Sequence, residues 1–365
     1  MSRIKIDQLW VPDTLDGEDT ADFLASVEGS RQVQIHIWGT DDLAASAAET
    51  LQNFRDPYEW YVVLIARLDG GIVGQAGIVL PLADSTHLAY VTLEILPSAQ
   101  GHGVGRELLE AAEQFVRGEN RRVVVVETHH PVSALALAED ERLKPAQGAG
   151  SLPLSSREVA FAQRADYHLQ HIEHFSACPV PLPGTLQDGL MAEAAAAQHG
   201  NFTLHQWLDR CPDKWLRDIA ALEGDPGNDP DWPAEDLEAG GRTAGGIRDA
   251  EALVLARGRR TLVTAVEDTA SGTLVGFTST TMLSTLGEVD FQDDTVVANE
   301  YDGQLLGQLI MVANMELLSV QFPKARRVYT WTAVDDGGCT DVNGKLGFVP
   351  AGVSGQWRKD LGSLR

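Results

Sequence analysis

Between Leu93 and Leu109 the sequence reads LEILPSAQGHGVGRELL. Strand-like apolar residues stop at Pro97, glycines follow at Gly101, Gly103 and Gly105, and the next apolar positions fall at helical spacing. A chain that enters a helix through Gln100-Gly101-His102-Gly103-Val104-Gly105 exposes backbone N–H groups with no partner inside that helix. Glycine lets such a backbone approach a ligand closely, and the helix dipole adds partial positive charge. A phosphate or diphosphate is the expected guest. Spacing narrows the class: the Gly-Lys-Ser/Thr of a nucleotide P-loop is absent. The residue three after Gly103 is Arg106, where a dinucleotide fingerprint needs glycine.

The elements that must hold this turn are legible around it. Strand-like runs occur at Trp60–Leu68, Gly71–Leu82, Leu88–Leu96 and Arg121–His130, and Asp69-Gly70 reads as a hairpin turn between the first two. Leu108, Leu109, Ala112, Phe115 and Val116 mark a helix that Gly118 stops, so the strands on either side of it run parallel. A stretch rich in Ala, Gly, Pro and Ser, 131–154, is expected to be a loop rather than a lid. Ser155 with Glu158 forms a capping box for a helix through Ala165. YHLQHIEHF then reads as the closing strand, and the proline-punctuated segment 177–184 as the boundary between domains 1–176 and 185–365.

The second half repeats the first. Gly74 and Gly276, and likewise Gly105 and Gly307, lie 202 residues apart, which indicates a duplicated fold. At 365 residues two cores are expected, and 44% hydrophobic with 22% charged residues is ordinary for a folded soluble chain. A net charge of −25 opposes broad nucleic-acid or anionic-membrane surfaces. No apolar run of about 18 residues and no secretory h-region occur, so a cytoplasmic location is expected. Cys178, Cys211 and Cys339 form no CxxC pair, and reduced thiols are the default.

Gln100, Gly103 and Gly105 occupy the defining positions of a Q/R-x-x-G-x-G/A pattern placed after a strand of the form LEILP. Together with strand order, the following helix, the duplication and the terminal LGF of the later copy, this resembles the GCN5-related N-acetyltransferases (GNAT), in their tandem two-domain form. The resemblance implies an α/β (α+β) chain of two tandem domains, each with a mixed, partly splayed central sheet flanked by helices. It implies acetyl-CoA as acyl donor, with no metal. Leu93 and Ile95 would pair with pantetheine through their backbone, and Gln100, Gly101, Gly103, Val104, Gly105 and Arg106 would form the coenzyme A turn.

The copies are not equivalent. At the 202-residue offset Pro97 becomes Asn299, Gln100 becomes Asp302, Gly103 becomes Leu305 and Arg106 becomes Gln308. A carboxylate repels diphosphate and a leucine side chain blocks backbone approach, so the first domain is expected to be catalytic and the second degenerate. Acyl transfer to an amine needs a base for the ammonium and donors for the oxyanion. Glu94 on the splayed strand is the first candidate base; its counterpart is Val296. His129 and His130, at the end of the neighbouring strand, are further candidates, and Glu127 a weaker one. The tyrosine that many family members use as acid is absent: Ala162 stands at its place and Asn343 in the later copy, which leaves the acid unassigned.

Other groupings read as structural. His168, His171 and His174 alternate faces along a strand and are not expected to bind metal. Trp38, Tyr58, Trp60 and Tyr61 either line an acceptor pocket or belong to the core. Segment 223–241 is expected to be a surface loop. The expected activity is N-acetyl transfer to an amine of a small molecule by direct attack on the thioester, in a monomer or homodimer. The alternative is a non-catalytic coenzyme A or metabolite binding module, and a nicotinamide-dependent oxidoreductase is disfavoured.

Overall fold

In the computed structural model, residues 4–83, 85–136, 138–146, 148–224, 243–283, 287–301, 303–334 and 337–362 are described. Segment 225–242, most of the expected loop, and Asp302 lie outside them. The chain divides into two compact units, Met1–Glu173 with Gly352–Arg365, and His174–Ala351.

The first unit begins with β1 (Lys5–Gln8), α1 (Ala21–Trp38), α2 (Ala47–Asn53), β2 (Glu59–Leu68), β3 (Gly71–Pro81) and β4 (Leu88–Ile95). It continues with α3 (Val104–Gly118), β5 (Val123–Pro131), the two-residue strands β6 (Arg142–Leu143) and β7 (Leu152–Pro153), α4 (Arg157–Arg164) and β8 (His168–Pro179). Asp69 and Gly70 both have positive φ, 50° and 89°, as a two-residue hairpin demands, and β2 and β3 pair antiparallel across them. The order β1-β2-β3-β4-β5 is antiparallel except for β4 and β5, which run parallel because α3 crosses between them. Helix α3 buries Val104, Leu108, Leu109, Ala112 and Val116, one face at helical spacing. Segment 131–154 contains two 3-10 turns and the small β6–β7 hairpin rather than a bare loop. The cap of α4 is Ser156, whose Oγ accepts from Val159 N at 3.0 Å, one residue later than the expected capping box.

In the second unit, α5 (Gly184–Ala197), β9 (Phe202–Leu208), α6 (Leu216–Glu223), α7 (Ala244–Ala256), β10 (Arg259–Asp268), β11 (Thr273–Leu283) and β12 (Val289–Val297) come first. After them come α8 (Leu306–Gln321), β13 (Arg327–Ala333) and α9 (Gly337–Leu346), and the chain ends in β14 (Val349–Asp360). The sheet order β13-β12-β11-β10-β9 mirrors that of the first unit, again with one parallel pair, β12 with β13. Gly74 faces Ile95 and Gly276 faces Val297, both pairs 202 residues apart. A Cβ on Gly74 would stand 3.0 Å from Glu94 O, and one on Gly276 would stand 2.8 Å from Val296 O, so both glycines permit the same close strand approach.

The units differ from the expected division in two respects: the boundary falls between Glu173 and His174, inside β8, rather than in 177–184, and the end of the chain crosses over. The last strand of the chain, expected in the second domain, joins the first unit: β14 pairs antiparallel with β5 from Gly352↔Pro131 to Asp360↔Val123. Trp357, almost fully buried, donates from Nε1 to Thr128 Oγ1 at 2.9 Å, and Lys359 Nζ reaches Glu113 Oε1 at 2.7 Å.

Candidate active site

Strand β4 parts from β5 where the expected splay was placed. Register holds from Leu88↔Val123 to Val91↔Val126, while β4 continues to Ile95 and β5 to Pro131 without pairing each other further. Leu93, Glu94 and Ile95 therefore keep β3 on one side only. A 3-10 turn over Pro97–Ala99 follows, then Gln100, then the glycines. Gly101 and Gly103 have φ of 80° and 88°, and Gly103 is the N-cap of α3 with no side chain capping the helix. A Cβ at Gly103 would meet nothing within 4 Å, so the space over the turn is open. Val104 is buried beneath it; Gly105 lies near Ile95 and Phe161, at 3.7 and 3.8 Å from its would-be Cβ; Arg106 is exposed, 3.8 Å from Glu110. Uncapped N–H groups, two left-handed glycines and open space together suit an anion such as a diphosphate.

The side chain of Gln100 serves the turn itself. Its Nε2 donates to Ile95 O at 3.3 Å and its Oε1 accepts from Arg157 Nη1 of α4 at 2.9 Å. Arg157 was not anticipated from sequence; a cation opening a helix was visible there, but not the direction in which it reaches.

Glu94 is buried against α1. Oε1 accepts from Ser30 Oγ at 2.8 Å and Gln34 Nε2 at 3.3 Å, Oε2 accepts from Gln75 Nε2 at 2.6 Å, and Ser26 Oγ donates to Gln75 Oε1. Every one of these partners is neutral. The spacing Ser26, Ser30, Gln34 puts three polar groups on one face of α1, a signal present in the sequence that went unused. A cavity of about 200 Å³ lies here, lined by Ser26, Gly29 and Val33 of α1, Ile72, Gly74 and Gln75 of β3, and Glu94. Glu28 also lines it, but Arg31 at 2.9 Å and Gln32 hold its carboxyl down at about 2.

Of the two histidines, His129 faces the site. Its Nδ1 lies 2.9 Å from Ser354 Oγ of β14, its Nε2 3.9 Å from Glu127, and its ring 5.4 Å from that of Trp38. Burial pushes His129 down to about 4, against the pull of the Glu94 charge, so it is neutral near pH 7. His130 turns inward, 3.1 Å from Thr128 Oγ1, and burial likewise takes it to about 4. It is buried.

Of the aromatic candidates, Tyr58 and Trp60 are exposed, while Tyr61 packs on Phe54 at 4.6 Å. Burial, and then the Glu94 charge, push the Tyr61 phenol up to about 12. Ala162 is buried in α4, and Tyr167 nearby donates to Glu113 Oε1 at 3.1 Å, which ties it to the core. Among the described residues no group of three or more His, Cys, Asp or Glu could hold a metal, and no helix is long and apolar enough to cross a membrane.

The corresponding turn of the second unit is built differently. Leu305 is the N-cap of α8 and is itself left-handed at φ 52°, with Gly303 at 79°. Leu305 and Leu306 pack with Ala194 of α5, an additional helix, and Gln304 Oε1 accepts from His199 N at 3.1 Å. Gln308, fully buried, donates to Leu190 O of α5 at 3.0 Å.

Residues 30–139 match the family described as Acetyltransferase (GNAT) family. No curated protein matches the chain. Among solved structures, a tandem GNAT protein from the clavulanic acid biosynthesis pathway is 21% identical with a TM-score of 0.74, each chain covering 100% of the other. A GCN5-related N-acetyltransferase from Sphaerobacter thermophilus is 14% identical with a TM-score of 0.62, over 99% of this chain and 97% of that one. A GCN5-related glucosamine N-acetyltransferase region of a fungal multi-domain β-N-acetylglucosaminidase is 14% identical with a TM-score of 0.59, over 98% of this chain and 38% of that one. Residues 30–139 thus match the GNAT family model, and the chain shares along its whole length the fold of a tandem GNAT protein.

Proposed function

We propose that the first unit transfers an acetyl group from acetyl-CoA to the amine of a small molecule. The observation that carries this reading is the end of β4: past Val91 the strand is free of β5, and it leads directly into an uncapped turn with open space over Gly103. Acetyl-CoA would supply the thioester, with its diphosphate at Gly101, Gly103, Val104 and Gly105 and its pantetheine arm along Leu93 and Ile95. The donor would complete β4 as an added strand.

Glu94 is the group best suited to the acceptor. A buried carboxylate whose hydrogen-bond partners are all neutral attracts an ammonium, and the neighbouring cavity of about 200 Å³ is the size of a small molecule. In the reaction the amine nitrogen bonds to the acyl carbon and the carbon–sulfur bond breaks; the thiolate leaves with one proton from nitrogen, while the other, lost by the ammonium before attack, passes to Glu94, directly or through water. His129, held neutral by burial and oriented by Ser354, stands as an alternative acceptor of that proton. The second unit supports the fold without binding coenzyme A, a reading favoured by Leu305 at the Gly103 position and by the packing of α5 over that turn.

The test is release of free thiol from acetyl-CoA with a panel of small amines, against a control without protein. Acceptor-dependent release is expected. Binding of coenzyme A without such release, across a broad panel, would make the protein a binding module instead.

A further inference from the structure

We infer that Arg157 is a second, side-chain arm of the diphosphate seat, reaching it from α4 across the gap between two helices. This rests on coenzyme A occupying the turn, as proposed above, and adds a residue that the turn's own sequence pattern does not contain.

Three observations carry it. Among the described residues the guanidinium is anchored at one end: Nη1 donates to Gln100 Oε1 at 2.9 Å, and Gln100 is in turn fixed on Ile95 O at 3.3 Å. This relay sets the position of the planar group while leaving further N–H donors for an anion. Next, the guanidinium lies beside the turn itself, because a Cβ on Gly101 would be in van der Waals contact with Arg157 Nη2, at 3.7 Å. Last, the turn is short of cations. Arg106 points into solvent with 72% of its side chain exposed and Glu110 at 3.8 Å, in a chain of net charge −25. A dianionic bridge seated there gains from a guanidinium that offers planar, charge-assisted donors. The placement of α4 makes this possible, since Phe161 on the same helix packs at Gly105 and fixes Arg157 relative to the start of α3.

The experiment compares Arg157→Ala and Arg157→Lys with the unaltered full chain. Calorimetry measures coenzyme A binding at two ionic strengths, and turnover is measured with acetyl-CoA and with S-acetyl-pantetheine, which lacks the phosphates. The alanine variant is expected to bind coenzyme A about tenfold more weakly and with a smaller salt dependence, the lysine variant to recover part of the loss. Turnover with S-acetyl-pantetheine should be the same in all three. If coenzyme A binds Arg157→Ala within twofold of the unaltered chain, or if both donors lose equally, the arm is refuted while the coenzyme A turn stands. If the unaltered chain binds no coenzyme A, the turn and the arm fail together.

Discussion

Replacing Gly103 with leucine transplants into the first unit the residue that the second unit has at the same place. The backbone there is left-handed in both units, φ 88° at Gly103 and 52° at Leu305, so Gly103→Leu can adopt the turn. A non-glycine residue in that region costs about 1–2 kcal/mol. With nothing within 4 Å of the new Cβ there is no clash to add. Against a typical stability of about 5–15 kcal/mol the variant stays folded, and melting should fall by roughly 2–4 °C per kcal/mol. The side chain, however, fills the open space over the uncapped N–H groups. Each N–H bond to an anion is worth about 1.5–3 kcal/mol, so loss of two amounts to about 3–6 kcal/mol, a hundredfold or more in affinity. Calorimetric titration with coenzyme A reads that loss, and the melting curve checks the fold. Affinity within threefold of the unaltered protein, in a variant that melts normally, would refute the reasoning that the turn is the seat.

Glu94→Gln keeps shape and burial but removes the charge, and should lower kcat by about 10²–10⁴ with the KM for acetyl-CoA little changed; an unaltered rate assigns the proton to another group. On the proposed reading that Leu305, packed with Ala194 of α5, blocks the second turn, titration of the intact chain should give one coenzyme A per chain, and two equivalent sites would refute it. Asp290, almost fully buried on β12, is pushed up to about 8, chiefly by burial and then by the charge of Asp293. The folded protein thus holds a proton that the unfolded chain releases near pH 4, and stability falls as pH rises from about 4 to 8. Asp290→Asn should therefore raise the melting temperature by an amount that grows across that range, and a gain independent of pH would contradict the assignment.

Local backbone chemistry made part of this protein legible. Asp69-Gly70 and the glycines at 101 and 103 require positive φ, a demand on single residues that a sequence states openly. The periodicity of α3 and the duplicated glycine spacing likewise need no knowledge of distant partners. Where local rules left a choice between neighbours, the reading slipped, as at Ser155 against Ser156.

What the sequence by itself determined is the turn, the splayed strand that feeds it and the inequality of the two copies, since each follows from residue type at a given place in one short segment. The tertiary structure decided that β14 completes the first unit, that Ser354 rather than a nearby residue holds His129, that α1 surrounds Glu94 with neutral donors, and that Arg157 leans over the turn. These depend on pairing between segments up to 237 residues apart, Val123 and Asp360, and a strand carries no local mark of the partner it will choose.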